Sequence, residues 1–119
     1  MPNPTLTKEQ LVLANELLAS VRSDLARLAG DDLALLFAMR RKIAKELVYD
    51  ERSKPAHRRR LKKAKIVEQN GMCPVCDKSL PESDNVLDRT EAIHGYTTAN
   101  TRLICRGCDT NVQRSRGYQ

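Results

Sequence analysis

Apolar residues in the first half of the chain recur at three- and four-residue steps. Leu11, Ala14, Leu17, Leu18, Val21, Leu25 and Leu28 form one stripe of an amphipathic helix over residues 7–29. Thr7, three residues before Gln10, supplies a capping box, and Gly30 supplies a stop. A second stripe of Leu33, Leu36, Phe37, Ile43, Ala44, Leu47 and Val48 predicts a helix over 32–49. With only Gly30 and Asp31 between them, the two helices are expected to fold back as an antiparallel hairpin. Such a hairpin cannot bury both stripes by itself. The pattern therefore gives 1–52 a scaffold role, with a homodimer through these helices as one way to cover the leucines.

Ser53 and Pro55 suit the N-cap and first turn of a third helix over 55–69, and Gly71 suits its end. From residue 72 the periodicity changes to short segments. Residues 85–88 and 102–105 read as strands, and 108–116 as a final helix. The fold class that follows is mainly α with a small α+β module. Its parts are a helical hairpin (1–52), a basic helix (53–71) and a four-cysteine module (72–119).

A length of 119 residues suits one small domain, or a helical arm joined to a metal-stapled module. The longest unbroken apolar run, Leu33 to Met39, is seven residues, against the roughly 20 needed to span a bilayer. Residues 1–4 contain no basic patch leading into an apolar stretch, so no secretory signal is read there and a cytoplasmic location is expected. With one Phe, three Tyr and no Trp, the chain lacks the stacked rings on which single-strand binders and RNA-recognition sheets depend.

The net charge of +6 is concentrated. Residues 1–51 carry 7 basic and 8 acidic side chains, and residues 66–119 carry 6 and 7. Between them, Arg52, Lys54, Arg58, Arg59, Arg60, Lys62, Lys63 and Lys65 face no acid in their own segment. So dense a cluster repels itself unless an anion neutralises it, which points to nucleic acid as partner, gripped by Arg58, Arg59, Arg60, Lys62, Lys63 and Lys65. A solvated helix face is the plainer reading. His57, at the start of this helix, is expected to be an exposed polar residue.

All four cysteines fall in two C-x2-C pairs, Cys73-Pro74-Val75-Cys76 and Cys105-Arg106-Gly107-Cys108. Two-residue spacing lets one tight turn present two thiolates to a single tetrahedral ion, and two such turns make a closed structural Zn2+ site. Disulfides are disfavoured in a reducing compartment, a redox C-x-x-C needs only one pair, and an iron–sulfur centre is the further alternative, against which the paired turns and small loop-rich context favour zinc. Four thiolates leave the ion no open position for water, so this metal folds the module and performs no hydrolysis.

Between and beyond the pairs stand Leu87-Asp88, Gly95-Tyr96-Thr97, Asn100 and Arg102-Leu103-Ile104, with Asp109 directly after Cys108. Residues 73–116 thereby resemble the HNH, or ββα-metal, endonuclease superfamily, and within it the four-cysteine zinc branch that includes phage endonuclease VII. The resemblance implies a treble-clef-like ββα-metal module and hydrolysis of DNA phosphodiester bonds. It assigns Asp88 and Asp109 as ligands of a catalytic Mg2+ or Mn2+, and Asn100 as the residue that orients the general base. That base is expected to be a His directly after the strand Asp, where this chain has Arg89. Arginine offers only donors and takes no proton from water. The resemblance then leaves His94 as a substitute base, or Arg89 as a residue that steadies the phosphate. The plainer readings are ion pairing of Asp88 with Arg89 or Arg102, a helix cap at Asp109 and a turn at Asn100. The alternative function is a zinc-containing nucleic-acid-binding protein that docks without cutting.

Overall fold

Thr7 begins the first helix by the reciprocal arrangement its sequence predicts. Its hydroxyl accepts the Gln10 N–H at 3.2 Å, and the Gln10 side-chain oxygen accepts the Thr7 N–H at 3.0 Å. The computed structural model describes residues 3–117, so the outermost two residues at each end of the expected 1–52 and 72–119 segments lie outside the described part. Its helices are α1 (Lys8–Ala29), α2 (Leu33–Arg52), α3 (Pro55–Glu68) and α4 (Arg106–Ser115). Two strands, β1 (Asn85–Arg89) and β2 (Thr101–Cys105), lie between α3 and α4. The chain is therefore mainly helical with a small antiparallel sheet. Among the described residues, no helix is long and apolar enough to cross a membrane.

Two compact units divide the chain. One is Pro4–Asp50; the other runs from Glu51 onward and includes Asn3. In the first, Gly30 in a left-handed conformation (φ 56°) closes α1, and the Asp32 carboxylate accepts the Leu35 N–H at 3.0 Å to start α2. Leu25 and Ala29 are buried near this turn, whereas α2 buries no residue. Leu11, Leu13, Leu17, Phe37 and Leu47 stay at least half exposed, so the expected hairpin does not bury its stripes.

In the second unit, Ser53 (φ 62°) ends α2, three residues beyond the expected stop. Lys54 takes the extended backbone that a following proline imposes and becomes the cap of α3 in place of Ser53. The helix α3 ends in a Schellman motif. The Gly71 N–H reaches the Ile66 carbonyl at 2.8 Å, the Asn70 N–H reaches Val67 at 3.1 Å, and Asn70 (φ 55°) supplies the left-handed residue.

The sheet pairs Val86 with Ile104, Leu87 with Leu103 and Asp88 with Arg102. Alternation sends these pairs to opposite faces. Leu87 and Leu103 pack with Leu61 of α3 and with Tyr96. On the other face Val86 and Ile104 pack with Val112 of α4 and the cysteines. Leu103 and Ile104, fully buried, are the centre of each half. The outer edge of β2 is closed by one side chain: Gln69 donates to the Leu103 carbonyl and accepts its N–H, both at 2.8 Å, acting as a one-residue strand.

Candidate functional site

The second unit brings two chemically distinct clusters close to the sheet. The first is the cysteine cluster. Met72 and Ser79 form an isolated bridge, and the Cys73 N–H bonds the Lys78 carbonyl at 2.8 Å, so the first pair sits in a tight loop. The second pair straddles the junction of β2 and α4, where Cys105 is both the last strand residue and the N-cap of the helix. The four sulfurs all lie within 4.8 Å of one another, and Cys76 Sγ stands 3.8 Å from Cys105 Sγ. Four thiolates at about 2.3 Å from one tetrahedral ion have an edge of about 3.8 Å, so the set fits a metal ion such as zinc. Burial pushes the Cys73 thiol up, but hydrogen bonds from the backbone of Cys105, Cys76 and Val75 outweigh it and bring the group down to about 6. Its neighbour Cys108 is pushed up to about 12 by hydrogen bonding to Cys105 and by burial. The negative charge of the cluster also meets the positive end of the α4 dipole.

The second cluster lines a cavity of about 340 Å³ along β1, whose outer edge has no strand partner in the two-stranded sheet. Only an open edge exposes successive residues from both faces, and Val86, Leu87, Asp88 and Arg89 all line this space. Asp109, Gln113 and Arg116 join them from the far side. Their spacing of four and three puts them on one face of the final helical segment. Gln113 Nε2 donates to Asp109 at 3.0 Å and to Asp88 at 3.3 Å, so a single amide ties the two carboxylates together.

Asp88 is buried and fully engaged. Arg116 binds it at two points, 2.7 and 3.2 Å, and Arg102 Nε donates at 3.1 Å from the paired position on β2. The ion pair with Arg102 is thus realised, while Arg89 turns to the other face. Asp109 lies in the first turn of α4, which begins at Arg106, two residues earlier than expected; the N-cap is Cys105.

Tyr96, with 7% of its surface exposed, also lines the cavity. The guanidinium carbons of Arg89, Arg58 and Arg52 lie 4.8, 5.8 and 5.9 Å from its ring centre. Each such contact contributes about 0.5–1 kcal/mol at an accessible site. Arg52 also donates to the Tyr96 hydroxyl at 3.1 Å, which raises the affinity of that guanidinium for its proton. His57, expected to be exposed, is half-buried with Nε2 2.8 Å from the Tyr96 carbonyl oxygen.

Three further sequence expectations change. His94 is 65% exposed, pairs with Glu91 at 3.0 Å and does not line the cavity, so it is no substitute base in this arrangement. Asn100 holds the loop between the strands: its amide donates to Glu91 and Gly95 carbonyls at 2.8 and 2.6 Å and accepts the Glu91 N–H. It positions Gly95-Tyr96, with no His beside it to orient. Finally, Lys65 is buried, paired with Glu68 at 3.2 Å and donating to the Thr98 carbonyl, so it leaves the basic surface. Arg59, Arg60 and Lys63 remain exposed on α3, whereas Arg58 and Lys62 are half-buried.

Tyr96, Arg52, Gln113 and Arg116 were not singled out by sequence as site residues. The one available signal was the helical spacing of Asp109, Gln113 and Arg116. Comparisons with protein-family models, with curated proteins and with solved structures find no match to this chain.

Proposed function

We propose that this protein is a zinc-stapled, divalent-metal-dependent nuclease of the HNH type that hydrolyses phosphodiester bonds in DNA. The observation that carries the reading is the convergence of Asp88 and Asp109 on one cavity, tied by Gln113 and flanked by Arg89 and Arg52. Asp88 and Asp109 are the residues that would hold a hard Mg2+ or Mn2+ ion, which prefers oxygen ligands. Such an ion, when bound, supplies Lewis-acid polarisation of the phosphoryl group. The remaining work belongs to the chain. Gln113 keeps both carboxylates aimed at one point, Arg116 offsets the charge of Asp88, and the guanidinium side of the cavity receives the anion. The exposed Arg59, Arg60 and Lys63 add sequence-independent attraction to the backbone.

Asp109→Asn tests the reading, since this partly exposed residue is removed at little cost to folding. Nicking of plasmid DNA in Mg2+ or Mn2+ is expected in the wild type and is expected to be lost in the variant, with zinc content unchanged. Equal nicking by both proteins refutes the assignment.

The bonding of Asp88 favours a second reading. A carboxylate already engaged by two guanidinia and an amide, in a cavity lined by no histidine, also suits a module that binds nucleic acid and leaves it intact. Under that reading the wild type shifts DNA in a gel and never nicks it.

A further inference from the structure

The arginine cluster on Tyr96 has a construction that bonding within the protein does not account for. Three guanidinia surround one ring, and among the described residues none of the three is ion-paired to a carboxylate. Their polar contacts are to neutral oxygens: Arg52 to the Tyr96 hydroxyl, Arg58 to the Arg52 and Ser53 carbonyls, and Arg89 to the Ala92 carbonyl. Such oxygens fix direction without cancelling charge. The backbone reinforces the same aim. Ser53 sits at φ 62°, a region that non-glycine residues rarely adopt, and it breaks the chain between Arg52 and the helix carrying Arg58. Gly95 (φ 72°) and the Asn100 amide then set the Tyr96 ring against them. Two of the three arginines, Arg52 and Arg89, line the cavity that Asp109 also lines.

We propose that Arg52, Arg58 and Arg89, aligned on Tyr96, form a phosphate-binding subsite for a nucleic-acid strand, distinct from the Asp88–Asp109 pair. This deepens the nuclease reading and rests on it for the nucleic acid, though not for cleavage. Guanidinium suits the purpose because its planar fork meets two phosphate oxygens at once and stays charged at any working pH. Tyr96 is the positioning residue: the three guanidinium carbons all lie within 5.9 Å of its ring centre. The phosphate could be an internal diester or a terminal monoester, since both present the same oxygens.

The test uses full-length zinc-loaded protein with no added Mg2+ or Mn2+. It measures binding of inorganic phosphate, a short duplex with 5′-hydroxyl ends, and the same duplex with 5′-phosphate ends. Arg89→Gln is expected to weaken duplex binding about ten-fold, the worth of one charge-assisted contact, and to abolish phosphate-induced shifts of the Arg52 and Arg58 side-chain NMR signals. Lys78→Gln, which removes the same charge from an exposed surface position, is expected to change affinity less than about two-fold. Tyr96→Phe keeps the ring and loses only the Arg52 contact, so it retains most affinity; Tyr96→Leu loses as much as Arg89→Gln, with zinc content confirming that it is folded. Preference for the 5′-phosphate duplex identifies a terminal phosphate, and equal binding an internal one; both support the subsite. Equal losses in Arg89→Gln and Lys78→Gln overturn it. A wild type that binds through these arginines but never nicks removes the nuclease reading alone. Nicking with an unchanged KM in Arg89→Gln removes the subsite alone.

Discussion

Between Pro4 and Asp50 the described side-chain bonds join residues three or four positions apart, such as Thr7 with Gln10 and Lys42 with Glu46. From Glu51 onward such local bonds are joined by others that span up to 44 positions, as in Gln113 with Asp88 and Arg52 with Tyr96. The first region is helix held by local propensity, with large apolar side chains still exposed. The second has shorter elements, and a few long-range groups each close several parts of it at once. Helical periodicity alone makes a scaffold; a site needs contacts that fold distant segments onto one another.

Metal removal should separate the regions most sharply. Chelation is expected to unfold the unit from Glu51 onward, since four-thiolate binding contributes on the order of 10 kcal/mol. The 22 and 20 residues of α1 and α2 make up most of the helix. Circular dichroism should therefore keep more than half of its helical signal while dispersed NMR resonances collapse. Loss of the whole signal would show that the first region depends on the second. The pH dependence has a definite sign. In the folded arrangement the Cys73 thiol is lowered from 9.0 to about 6, so the thiolate that a metal needs is available above about 6 and is lost as pH falls through that value. Metal affinity, which requires thiolate, should fall in the same direction in a competition titration with a chelator.

A smaller effect is expected at Gln69. Gln69→Ala leaves the N–H and carbonyl of Leu103 without partners at the edge of β2 and should cost about 1–3 kcal/mol in urea unfolding. No change would mean that water closes that edge equally well. Smallest of all is Thr7→Ala, which removes a single exposed cap and should lower helicity by a cost of about 0.5–1 kcal/mol without altering zinc content.

What could be read beforehand follows the same division. The capping box, the helix starting at Pro55, both strands and the two cysteine pairs were legible because each is encoded within a few residues. Arg89 and Arg102 were both named as ion-pair partners of Asp88, and the antiparallel register selects Arg102. Lys65 looked identical to its basic neighbours, and only the packing of α3 on the sheet shows that it turns inward to Thr98. Gln69 gave no local signal, since a glutamine that closes a strand edge is defined by a partner 34 positions away, and the partners of Tyr96 and Arg116 come largely from distant segments. His94 and Asn100 were placed by resemblance, and the loop geometry assigns them to surface pairing and loop closure.

Cys105 ends a strand, starts a helix and offers its sulfur to the cluster, all at one residue. Oxidising or alkylating that one sulfur would therefore loosen the hinge on which Asp109, Gln113 and Arg116 are hung. The wall of the cavity would drift out of register with β1 although none of its own atoms had been touched, and the thiol chemistry of the surroundings would act as an off switch for whatever the cavity does.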